Sequence, residues 1–136
     1  MKKIILAFAI VGFITMAATT KSTATVDTKT MKIEKYKACI DACNACITSC
    51  NKVQIHCAKM KDSKMDKCVK LCKECVSICT ASSKLMSLDS ESAKAVCLEC
   101  AKICARCATE CEAFKNIECE KCAADCRKAE KTCLEM

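Results

Sequence analysis

Residues 39–57 read CIDACNACITSCNKVQIHC, with cysteines at 39, 43, 46, 50 and 57. Intervals of four, three, four and seven place all five thiols along one stripe of an α-helix. The same spacing returns at Cys68, Cys72, Cys75 and Cys79, then at Cys97, Cys100, Cys104, Cys107 and Cys111. It returns once more at Cys119, Cys122, Cys126 and Cys133. With Cys43, Cys72, Cys97 and Cys119 at heptad position a, all 18 cysteines fall on a or d. The other ten a/d positions between Tyr36 and Met136 are Tyr36, Val53, Met60, Met65, Ser82, Met86, Ala93, Phe114, Ala129 and Met136. Positions that carry Leu or Ile in an ordinary helical core carry sulfur here.

Working outward from these runs, the spacing predicts four helices. They cover about 29–60, 64–86, 90–114 and 117–134, with residues 25–28 a short polar lead-in. Ser63 followed by Asp66 resembles a capping box, Ser87, Asp89 and Ser90 offer N-caps, and Asn116 can end the third helix or start the fourth. The short connections favour antiparallel neighbours, so the expected fold is all-α: an up-down-up-down four-helix bundle with a cysteine-lined core. Composition agrees. The chain has no proline, and its single glycine, Gly12, precedes the cysteine runs, which leaves a sheet protein without turn residues. Only four aromatic residues are present, Phe8, Phe13, Tyr36 and Phe114, so burial alone stabilises the metal-free fold weakly. The halves 31–86 and 90–135 each hold nine cysteines, as a duplicated helical hairpin would. Ile40, Ile47, Val69, Leu71, Val76, Ile78, Leu85, Val96 and Ile103 flank the sulfur stripe at e and g, where they close the gaps between helices.

Residues 1–24 read as a secretory signal peptide. Lys2 and Lys3 precede an apolar stretch, Ile4 to Ala18, that is short for a membrane span, and small residues permit cleavage after Ala17 or Ala24. The mature domain is then 25–136, exported to the periplasm or another extracytoplasmic space and free of membrane once the leader is removed. No twin arginine is present, which favours export of the unfolded chain and metal loading afterwards. The net charge is +7, but Lys2, Lys3 and Lys21 lie in the leader and the other charges alternate in sign along the helices. No basic block or aromatic platform points to nucleic acid.

A buried column of thiols has few chemical uses. Stripe neighbours on one helix have Cβ atoms roughly 5–6 Å apart, whereas a disulfide needs about 3.5–4.5 Å. An ion bridging two sulfurs spans on the order of 4.5 Å, taking zinc–thiolate bonds as a guide. Copper(I) is soft, favours thiolate and thioether, and accepts two-coordinate geometry. With bridging thiolates, Cu(I) and sulfur approach one-to-one and the filled interior is near neutral. Each Zn(II) on four thiolates would leave a charge of −2 in a low-dielectric column. Iron–sulfur clusters need localised sets of four cysteines and a reducing compartment. The multiple ions expected are therefore Cu(I).

The competing reading is an exported helical structural or interaction protein stapled by disulfides, which an even cysteine count permits. Disulfide scaffolds, however, are loop-rich and do not repeat thiols along whole helices. A thiol oxidoreductase built on Cys97-x2-Cys100 or Cys119-x2-Cys122 would need a βαβ context, and one histidine leaves no other nucleophile–base pair, so no enzyme is expected. That histidine, His56, is joined by Met60 and Met65 near one end of the bundle beside Cys57 and Cys68. Imidazole and thioether bind Cu(I) more loosely than thiolate, as an uptake site should. Met31, Tyr36, Met86 and Met136 close the opposite end.

The runs Cys39-x3-Cys43-x2-Cys46-x3-Cys50 and Cys68-x3-Cys72-x2-Cys75-x3-Cys79, with their counterparts further on, resemble the bacterial copper storage proteins. The resemblance covers roughly 30–135, and His56-x3-Met60-x4-Met65 is similar to the mouth cluster of exported members. It implies a cysteine tube filled by many Cu(I) ions, a homotetramer, and a role in copper storage, buffering or sequestration.

Overall fold

The structure, a computed structural model, describes the backbone of residues 23–136 and the side chains of Glu34 and residues 36–136. Residues 1–22 of the expected leader, with its first cleavage point after Ala17, lie outside the described residues, as does the side chain of Met31; the second point, after Ala24, falls within the first helix. Four helices carry the fold: α1 (Thr23–Met60), α2 (Asp66–Ser87), α3 (Ala93–Glu112) and α4 (Ile117–Leu134). No strand occurs among the described residues. Helix α1 packs on α2 and α4, and α3 packs on the same two, closing a four-helix bundle with sequence neighbours antiparallel.

Local chemistry sets the helix ends. Asn116 caps α4, its Oδ1 accepting the Cys119 N–H at 2.9 Å. Between α1 and α2 the cap is Asp62 rather than Ser63. Its carboxylate accepts the Lys64 N–H at 3.0 Å and opens a 3₁₀ turn, Ser63–Met65, that delays α2 to Asp66. Helix α2 closes in a Schellman motif, with Ser90 N–H donating to the Leu85 carbonyl and Asp89 N–H to that of Met86. The positive φ this requires falls on Asp89 (48°), and Lys61 (50°) plays the same part after α1, because no glycine is available. That closure and the turn through Ser92 push α3 to Ala93, three residues past the expected Ser90. Helix α1 starts earlier than expected, at Thr23, and the presumed lead-in at 25–28 is helical. Neither glycine nor proline interrupts it.

Every cysteine is buried, and the largest fully buried side chain other than cysteine is Val53. The flanking Ile40, Ile47, Val69, Leu71, Val76, Ile78, Leu85 and Ile103 pack half-buried against the column as expected. Ala42, Ser49, Ala101, Ala108 and Ala123 are buried. Such small side chains let the helix backbones approach closely. Ion pairs such as Arg106–Glu74 and Arg127–Glu112 lie outside this core, where each contributes at most about 1 kcal/mol.

Candidate metal centre

Heptad position and helix direction together stack the thiols in layers. The antiparallel register is fixed by contacts across the axis: Cys46 Sγ lies 3.3 Å from both Cys75 and Cys126, and Cys75 lies 3.5 Å from Cys104. These four sulfurs, one from each helix, form the middle layer. One step along, Cys50, Cys72, Cys107 and Cys122 form a second, with Cys50–Cys122 at 3.5 Å and Cys72–Cys107 at 3.8 Å. Consecutive layers join along the helices, as at Cys46–Cys50 (4.0 Å) and Cys122–Cys126 (3.9 Å).

Away from the middle each layer loses one sulfur. Cys43, Cys79 and Cys100 share a level where Ala129 holds the α4 position, with Cys79–Cys100 at 3.6 Å. Beyond it stand Cys39, Cys97 and Cys133, with Cys39–Cys133 at 3.4 Å. By the same register that opposes Cys46 to Cys75, Ser82 supplies the α2 corner of this level. Toward the α1–α2 loop, Cys68, Cys111 and Cys119 share a layer with Val53, and Cys68–Cys111 is 3.4 Å. Cys57 comes last, its sulfur 3.5 Å from the thioether of Met65.

All eighteen cysteines are free thiols, so the disulfide-stapled arrangement is not the one found. Several sets place sulfurs within 4.8 Å of one another, as an ion requires: Cys46, Cys75, Cys79 and Cys104; Cys50, Cys107, Cys122 and Cys126; Cys39, Cys43 and Cys133. A further set, Cys46, Cys50, Cys75 and Cys126, shares two members with each of the first two, as bridging thiolates do. The electrostatics follow from crowding. A thiolate accepts hydrogen bonds from neighbouring thiols, so some sulfurs ionise easily while their donors hold their protons. Cys133, then Cys43, draw Cys39 down to about 3, and Cys111, then Cys72, draw Cys68 down to about 4. Cys46 and Cys100 are lowered as well, Cys104 being the largest cause for each, while Cys104 itself is raised, chiefly by Cys100. At Cys97 and Cys119 burial dominates, pushing the first up to about 11 and the second up to about 12.

The three residues expected at the mouth part company. Met65 is buried and reaches Cys57. His56 stands at a g position and turns toward α4, where its Nδ1 lies 3.5 Å from Glu118 Oε2. Met60 is 63% exposed, the one a/d position of the bundle that faces solvent. It closes α1, and the left-handed Lys61 carries the chain back so that Met65 covers Cys57 in its place. Spacing along one helix did not reveal the polar seam between α1 and α4. Ser49 donates to Asp125, which also pairs with Lys121 at 3.0 Å, two turns from His56 and Glu118. Opposed g positions on antiparallel helices were the signal that could have found it.

A cleft of about 550 Å³ between α1 and α2 is lined in part by Cys57, Asp62, Asp66 and Lys73. Cys57 is 6% exposed and every other cysteine 1% or less, so the least covered cysteine of the column stands at this end.

A family model for copper storage proteins matches residues 32–136. The Cu(I)-bound copper storage protein BsCsp3 superposes with a TM-score of 0.70 at 34% identity, over 75% of this chain and 97% of that one. Apo copper storage protein 3 from Bacillus subtilis gives 0.68 at 34% identity, over 73% and 95%. A protein from Nitrosospira multiformis gives 0.69 at 32% identity, over 75% and 94%. No curated protein sequence matches at a significant level. With its sulfur column assembled from four helices and the match extending through nearly all of the bundle, this chain belongs to the copper storage protein family.

Proposed function

We propose that this protein stores many Cu(I) ions as thiolates along the bundle axis, without catalysing a reaction. The observation that carries this reading is the column of buried free thiols, most of them within 3.3–4.0 Å of a neighbouring sulfur. Soft monovalent copper suits such a lattice because each ion replaces a thiol proton and leaves the interior near neutral. One ion for every two thiols, or one for each, gives roughly 9 to 18 ions per chain. All eighteen cysteines are ligands in this reading.

Uptake begins at the α1–α2 end, where Cys57 and Met65 offer a thiolate and a thioether to the same ion. His56 and Met60 lie in the last two turns of α1 and serve as outer, weaker ligands that receive copper before it reaches Cys57. The leader pattern at residues 1–24 supports work outside the cytoplasm, as a homotetramer by family resemblance. No helix among the described residues is long and apolar enough to cross a membrane.

Because small side chains, cysteine above all, fill most of the metal-free core, ligand binding supplies much of the folded state's stability. Loading reduced protein with Cu(I) raises the melting temperature by more than roughly 10 °C. An unchanged melting curve overturns storage. Counting free thiols in protein isolated without reductant separates this reading from a disulfide framework.

A further inference from the structure

Ser82 occupies a d position in the sulfur column, is wholly buried, and its hydroxyl has no hydrogen-bond partner. Other α2 hydroxyls behave differently: Ser77, Thr80 and Ser87 each donate to the carbonyl four residues earlier. Ser83, also unpartnered, is only half-buried and stands off the stripe. Ser82 alone combines an orphaned hydroxyl with a place among the thiols. Register puts it in the layer of Cys39, Cys97 and Cys133, the last before Met86 and Ala93 close the bundle.

We infer that Ser82 is a positioning residue, a hydrogen-bond donor held in reserve for the copper thiolates of the closed end. A hydroxyl is too hard to compete as a Cu(I) ligand. In the metal-free layer no sulfur lies within hydrogen-bonding reach of this hydroxyl, and the donor stays unsatisfied. When Cu(I) displaces the protons of Cys97 and Cys133, the layer holds charged acceptors at all three sulfurs, and drawing them together around the ions lets the neutral donor of the fourth corner form a charge-assisted bond. Binding thus repairs a defect that the metal-free fold tolerates. The balance is one proton leaving each sulfur that still carries one as Cu(I) arrives, with no change of oxidation state. The same hydroxyl sets the length of the store, because a thiol at this corner would add another ligand. This role rests on the Cu(I) storage reading.

The test compares the full chain with its Ser82→Ala and Ser82→Cys variants. Each is melted without metal and titrated anaerobically with Cu(I) against a competing chelator. Ser82→Ala should melt higher than the parent when metal-free, because the orphan is gone, yet hold its end-layer ions roughly tenfold less tightly. Capacity should be unchanged in Ser82→Ala and raised in Ser82→Cys. A packing role alone would lower stability in both states, so opposite signs are the diagnostic result. Ser82→Ala melting at or below the parent without metal, or holding every ion as tightly, overturns the inference. A parent that takes up only one or two ions overturns storage itself. A parent that fills normally beside an indistinguishable Ser82→Ala variant removes the role of Ser82 alone.

Discussion

The middle of the column and its mouth are built from the same helices but to different chemical rules. In the middle, Cys46, Cys75, Cys104 and Cys126 supply one sulfur from each helix, and all are sealed from solvent. At the mouth a single thiol, Cys57, meets a thioether, and the cleft beside it carries Asp62 and Asp66. Thiolates in a closed layer can each bridge two ions, which suits tight retention. A thioether cannot deprotonate, so copper at Cys57 and Met65 is held by less charge and passes on more readily. The difference separates how much the protein holds from how fast it fills.

Substitutions can break that division. Replacing Cys46 and Cys75 together by alanine removes half of a four-thiol layer and should lower capacity by about one to two ions, on the same ratio of thiols to copper. The initial uptake rate should remain near that of the parent. Stopped-flow uptake and end-point titration on one sample read both quantities. Met65→Leu keeps the core volume but removes the thioether. It should slow uptake roughly tenfold, a rise of about 1.4 kcal/mol in the barrier, and leave capacity intact. A Met65→Leu variant that loses ions, or a Cys46→Ala/Cys75→Ala variant that only slows, would merge the two regions again.

Two thiols of the three-sulfur layers, Cys97 and Cys119, are governed by burial instead of by neighbouring thiols, and this predicts a smaller effect. Burial raises Cys97 to about 11 and Cys119 to about 12 from an ordinary value of 9.0. Groups raised by folding contribute stability that is fully present below their unfolded pKa and is lost as pH rises through the folded one. The thiols lowered by their neighbours, such as Cys39, are ionised in both states above 9 and add no slope there. Metal-free protein should therefore melt at progressively lower temperature between about pH 9 and 12. Copper-loaded protein, having surrendered those protons already, should show a flatter profile. Melting curves across that range check both.

The column could be read from spacing because heptad position decides burial, and the a/d assignment carried all eighteen cysteines into the core. Helix α4 falls at the expected bounds, Ile117–Leu134, since Asn116 is the only strong cap in its neighbourhood. Other features depend on what a helix meets and were not legible. His56 shares a heptad position with the buried Ala42 and Ser49, but its partner Glu118 is fixed by the α1–α4 register, 62 residues downstream. Met60 satisfies the pattern and still faces solvent, because the helix ends there and the returning turn brings Met65 over Cys57. Asp62 took the capping role expected of Ser63 because the chain first forms a 3₁₀ turn, a choice made by loop geometry and not by residue type.

The most direct measurement is an anaerobic titration of fully reduced protein with Cu(I) against a chelator of known affinity, followed to saturation. Storage along a shared thiolate column predicts a break at roughly 9 to 18 ions per chain. Saturation at one or two ions would confine binding to a local site and contradict it.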